Sequence, residues 1–143
     1  MTRNSARRIV GAAFAFPLML ALTGAQAWGQ GSIGSITKVD PAATIASPGA
    51  APAIVDINSK VSMADVVRTD INGFVKIRFR DGSELTVNPG SNVTIDEYVY
   101  DPSTNGGKLV MSVGGGVARF VSGSMKKENI KIKTATATMG LRG

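Results

Sequence analysis

Polar and apolar residues alternate with period two over much of the second half of this chain. In Phe74 to Arg80, Val75, Ile77 and Phe79 fall on one side and Lys76, Arg78 and Arg80 on the other. That spacing predicts a half-buried strand. Leu85 and Val87 continue the apolar side. Val93 and Ile95 alternate with Thr94 and Asp96, and Leu109, Met111 and Val113 form a further strand face. Val117 to Val121 resumes after Gly114-Gly115-Gly116, and Ile130 and Ile132 alternate with Lys131 and Lys133. Turn signals separate the runs: Asp81-Gly82, Asn88-Pro89-Gly90-Ser91, Asp101 to Gly107 and Ser122-Gly123-Ser124. Asp81-Gly82 predicts a hairpin whose two central residues both take positive φ. Strands recurring about every 8–12 residues, without helical periodicity, predict an all-β domain: a sandwich, a roll or a short solenoid.

Residues 63–143 carry this pattern, and residues 28–62 are looser. Ile33, Ile36 and Val39 predict one short strand, and Ala53 to Ile57 a second. Between them, residues 40–52 are rich in Ala, Pro, Gly and Ser. Such a composition buries little, so it reads as a linker or long loop.

Residues 1–27 have the layout of a secretory signal peptide, the only helix expected. Arg3, Arg7 and Arg8 precede an apolar stretch from Ile9 to Leu22, and Ala25-Gln26-Ala27 fits the cleavage site. The stretch falls short of the roughly 20 apolar residues that cross a bilayer. Cleavage therefore leaves a chain that does not span the membrane and is periplasmic, secreted or on the cell surface. Losing three arginines takes Lys+Arg from 16 to 13 against 10 acidic residues, so the net charge falls from +6 to +3. This modest charge argues against a nucleic-acid partner. Cysteine is absent, so no disulfide framework supports the fold, and histidine is absent too. Those absences remove Ser-His-Asp and Cys-His nucleophilic sites and the usual zinc ligands.

An ordered set of small motifs runs from Val67 to Gly143. It comprises Val67-x-Thr69, Asp81-Gly82-Ser83, Leu85-x-Val87, Pro89, Tyr98, Gly116 with Arg119-Phe120, and a closing run from Thr134 through Gly140 to Arg142-Gly143. In this order the set resembles the FecR domain of bacterial periplasmic proteins. Two departures stand out. Ala135 occupies a position that is usually proline, and the chain stops at Gly143 where the pattern continues into another strand. On that pattern the domain is expected to be truncated at its closing motif. The resemblance implies an all-β envelope module. Its best-known relatives couple an outer-membrane iron transporter to a cytoplasmic sigma factor, through a cytoplasmic segment in the place where this chain carries its signal.

The remaining constellations carry little chemistry. Asp96 and Glu97 are adjacent, so on a strand they face opposite sides and make a poor acid/base pair. Asp81 with Glu84, or Asp96 with Glu97 and Asp101, could offer oxygen ligands to Ca²⁺, but neither spacing matches an EF-hand loop. Tyr98 and Tyr100 share a strand face that could stack on a sugar or cover the core edge. No catalytic residue, metal site or cofactor is expected. Lys76, Arg78 and Arg80 form a basic ladder, and Lys126, Lys127, Lys131 and Lys133 a second cluster. Either is a solvated face that discourages aggregation or a surface for anions. The expected function is therefore a non-catalytic module for protein–protein interaction or ligand sensing in the envelope, with an envelope protein as partner. The alternative is a cell-surface structural module that binds acidic polysaccharide.

Overall fold

The computed structural model describes residues 31–40, 43–135 and 138–141. The predicted signal peptide lies outside them, as do Arg142 and Gly143. Among the described residues twelve strands form two sheets: β1 (Gly34–Val39), β2 (Ala43–Ala46), β3 (Ala53–Ile54), β4 (Lys60–Val61), β5 (Val66–Thr69), β6 (Val75–Phe79), β7 (Glu84–Val87), β8 (Asn92–Asp101), β9 (Gly106–Gly115), β10 (Ala118–Val121), β11 (Ile130–Thr134) and β12 (Thr138–Gly140). A 3-10 turn at Lys127–Asn129 is the one helical segment among the described residues. No described helix is long and apolar enough to cross a membrane.

The first sheet runs β10-β7-β6-β1-β4 and the second β12-β11-β9-β8-β5-β2-β3. Every pairing is antiparallel except β9 with β11. That parallel pair arises because the chain leaves β9, crosses to the first sheet as β10, and returns to the second. Of the architectures the alternation allowed, the fold is a two-sheet sandwich. Ile36, Val75, Ile77, Leu85 and Val87 from one sheet and Val67, Val93, Ile95, Leu109 and Met111 from the other are fully buried in one core. Each such side chain contributes about 1.5–3 kcal/mol by leaving water.

The stretch read as linker contains β2. Ala43 and Ile45 are buried, and β2 pairs with β5 through Ile45 opposite Val67. The strand face thus begins 20 residues before the sharp alternation does, because its apolar positions are filled partly by alanine. β1 and β4 likewise belong to the first sheet, with Gly34 opposite both Val61 and Phe79.

Ala64 turns the chain into β5 with φ of 68° and donates its N–H to Ile95 O at 2.7 Å. The left-handed region costs a side chain with a Cβ about 1–2 kcal/mol. Ala64→Gly is therefore expected to stabilise the fold by about 1 kcal/mol after the extra entropy of glycine in the unfolded chain is subtracted. Chemical denaturation measures this directly.

Candidate functional site

The β6–β7 hairpin shows how the motif residues act. Phe79 N donates to Ser83 O at 2.9 Å and Gly82 N to Phe79 O at 3.0 Å. The loop therefore has three residues, Arg80 to Gly82, and Gly82 alone takes positive φ, at 83°. This corrects the expected two-residue turn: a turn followed by a left-handed glycine gives the same reversal with a bulge. The bulge aims Asp81 inward. Its carboxylate is almost fully buried and accepts from Tyr98 Oη at 3.1 Å, from Ser83 N at 3.2 Å and from Ser83 Oγ. Asp81 N in turn donates to Tyr98 Oη at 3.0 Å. A buried carboxylate is tolerable only with such donors. The Tyr98 ring stacks on Phe79 with centroids 5.4 Å apart.

The same turn is fastened to the crossover after β10. Gly123 N donates to Ser83 Oγ at 2.9 Å and Ser124 N to Asp81 O at 2.8 Å. Asp81, Gly82 and Ser83 are thus a joint between the two sheets. Tyr98 belongs to that joint and is not a sugar platform.

Burial pushes the Tyr98 phenol well above its ordinary value near 10, and the neighbouring Asp81 charge adds to the effect. An unfolded chain ionises its tyrosines near pH 10 while folded Tyr98 stays neutral. Its contribution is therefore complete below pH 10 and is lost progressively above it. Melting temperature is expected to fall more steeply between pH 9.5 and 11 in the parent than in Tyr98→Phe, whatever their offset at neutral pH.

A second joint forms around Thr69. Its hydroxyl donates to Asn88 O at 2.6 Å and accepts from Ser91 N at 3.0 Å, and its N–H donates to Ser91 O at 3.0 Å. Ser91 Oγ accepts from Val117 N at 2.8 Å, tying the β7–β8 turn to the start of β10. Thr69→Val keeps the shape but orphans a buried N–H. We expect a loss of about 2 kcal/mol in urea unfolding with an unchanged slope.

Further along the motif set, Arg119 points outward opposite Thr86, and Phe120 packs against the core opposite Leu85. Thr134 pairs with Val113, and Gly140 in β12 pairs with Lys131 at the edge of the second sheet.

The residues of the expected basic ladder are not isolated cations. Lys76 and Arg78 both reach Glu84 across the hairpin, at 3.5 and 2.7 Å. The Arg78 hydrogen bond, followed by the Lys76 charge, holds the Glu84 carboxyl below its usual range. Register then adds cations from three other strands. Lys38 lies opposite Lys76, Lys60 sits beyond Ser35 from Arg78, and Arg119 lies beyond Thr86 from Lys76. The outer face of the first sheet therefore carries Lys38, Lys60, Lys76, Arg78 and Arg119 around Glu84, with Arg80 at its end. Lys131 and Lys133 lie on the second sheet, so the two basic clusters are separate. Of the six cations now on or beside this face, the strand pattern placed Lys76, Arg78 and Arg80. The other three were visible only as scattered basic residues.

The acidic residues do not converge. Asp81 turns inward while Glu84 faces the cations. Asp96 accepts from Ser112, Glu97 pairs with Lys108 at 3.0 Å, and Asp101 accepts from Ser103, which lowers its pKa. Among the described residues no three acidic groups are placed to hold a metal ion.

A protein-family model described as FecR protein matches residues 65–143, more than half of the chain. No curated protein and no solved structure matches it.

Proposed function

The chain belongs to the FecR family, an envelope-associated regulatory and signalling family, and from that premise we propose that it is an exported, non-catalytic β-domain that senses a ligand or docks an envelope protein. One observation supports this reading above the others: the buried polar residues of the motif set are consumed in building the fold. Thr69 is buried and hydrogen-bonded to Asn88 and Ser91 in the β7–β8 turn, and Asp81 and Ser83 are buried and bonded to each other, with Tyr98 as a further partner of Asp81. A reactive group in an active site must be left free to meet substrate. Here the buried motif residues make the frame, and the outward positions between them take no part in it. Binding then belongs to those outward positions.

The test uses the full chain with a C-terminal tag in a bacterial host. Cross-linking in intact cells, followed by fractionation and mass spectrometry, is expected to recover the mature chain from the envelope, with one envelope protein or glycan retained in constant proportion. Recovery from the cytoplasm with its first 27 residues intact would overturn the reading.

A further inference from the structure

Two recesses meet at one end of the sandwich and share Arg80. The first, about 250 Å³, is lined by Ser32, Ser35, Lys60, Arg78 and Arg80. The second, about 360 Å³, is lined by Ile33, Met63, Arg80, Tyr98, Val99 and Tyr100. One lobe carries three cations and two serines, and its neighbour is mostly apolar with an aromatic wall. The fold places them together. Arg80 N donates to Ile33 O at 3.0 Å, which anchors the hairpin loop beside the start of β1, and Ile33 N donates to Val61 O at 2.8 Å. The Tyr100 hydroxyl donates to Asn105 at 3.1 Å, which fixes the other wall.

We infer that this end of the sandwich binds an acidic sugar of a glycan chain, its carboxylate between Lys60, Arg78 and Arg80 and its ring against Tyr100, Val99 and Met63. Three observations favour that ligand. Together the lobes have the size of an ordinary small-ligand site. A guanidinium takes a carboxylate through two parallel hydrogen bonds, and Arg80 borders both lobes, so one ligand can meet both. Ser35 offers a hydroxyl partner beside the cations, while the Ser32 hydroxyl donates to Gly34 O at 2.8 Å and keeps only its acceptor capacity. A simple inorganic anion would leave the apolar lobe empty, and a bilayer surface would not enter two recesses. The ladder of Lys76, Lys38 and Arg119 leads away from the cationic lobe across strands about 4.8 Å apart. It offers further carboxylates of the same chain a track. Glu84 opposes this charge and holds Arg78, so it tunes the affinity downward.

The inference rests on the ligand-sensing reading for its setting, but its test is made in solution. The protein purified from cells expressing the full chain is titrated by calorimetry with oligogalacturonate, with maltohexaose, with inorganic phosphate and with phosphatidylglycerol vesicles. Oligogalacturonate is expected to bind and maltohexaose not to. Arg80→Gln is expected to weaken binding about tenfold, the size of one lost charge-assisted contact. Tyr100→Ala should weaken oligogalacturonate about fivefold while leaving the weak phosphate interaction unchanged. Glu84→Gln should strengthen binding, by freeing Arg78. The paired change Lys131→Gln with Lys133→Gln removes more charge on the second sheet and should shift affinity less than twofold. Melting temperatures of the variants separate lost binding from lost fold. The inference is overturned by absent oligogalacturonate binding, by equal weakening in the Lys131/Lys133 pair, or by vesicles binding where oligogalacturonate does not. Failed export in cells, with binding intact in solution, would sink the envelope setting and leave the site standing.

Discussion

Asp81→Ala is expected to cost about 4 kcal/mol and to lower the melting temperature by roughly 20 °C. Truncation leaves three donors without an acceptor: the Tyr98 hydroxyl, the Ser83 hydroxyl and the Ser83 N–H. Each orphaned buried group costs about 1–3 kcal/mol. The loss is a packing loss as well, since Asp81 is 3% exposed and the alanine leaves space beside Tyr98. Asp81→Asn keeps one acceptor oxygen and should lose about half as much. Urea denaturation with an unchanged slope would confirm that the effect lies in the folded state. A loss below about 1 kcal/mol in the alanine variant would mean that water replaces the carboxylate, and that the joint is not what fixes the hairpin. The same experiment bears on function. If the motif is a frame, Asp81→Ala protein held well below its melting temperature should still bind whatever the parent binds.

Much of the sandwich was legible because the core strands β5 to β9 and β11 carry alternation in branched and large apolar residues, which period-two reading detects. β2 escaped because Ala43 and Ala46 carry little hydrophobic signal. It is a strand through its register with β5, a long-range fact. Asp81-Gly82 announced a reversal but not its kind. The choice of a three-residue loop depends on Tyr98, 17 residues away, reaching the Asp81 carboxylate. The site shows the same division. Lys76, Arg78 and Arg80 were readable from one strand. Lys38, Lys60 and Arg119 join them only through the order β10-β7-β6-β1-β4, which no local pattern encodes. Glu84 illustrates the limit most clearly. Its neighbours in sequence suggested a shared acidic site with Asp81, yet the bulge at Gly82 turns the two carboxyls to opposite sides of the sheet.

Gly123→Ala is expected to cost about 3 kcal/mol, the upper end of ordinary overpacking. A Cβ at this position would lie 2.3 Å from Asp81 O, 2.5 Å from Ser83 N and 2.6 Å from the Gly82 carbonyl carbon. All three are backbone atoms of a turn closed by its own hydrogen bonds, so no side chain can swing away. The crossover must move instead. That movement stretches the bonds from Gly123 N to Ser83 Oγ and from Ser124 N to Asp81 O. The two variants therefore damage one joint from opposite sides. Residues sharing a hydrogen-bond network couple by about 0.5–3 kcal/mol. The double variant is expected to lose clearly less than the sum of the two single losses, because a joint already opened by one change has less left for the other to break. Additive losses in a double-mutant cycle would show that Asp81 stabilises its own hairpin independently of the crossover. The connection between the sheets would then rest on Ser91 and Val117 instead.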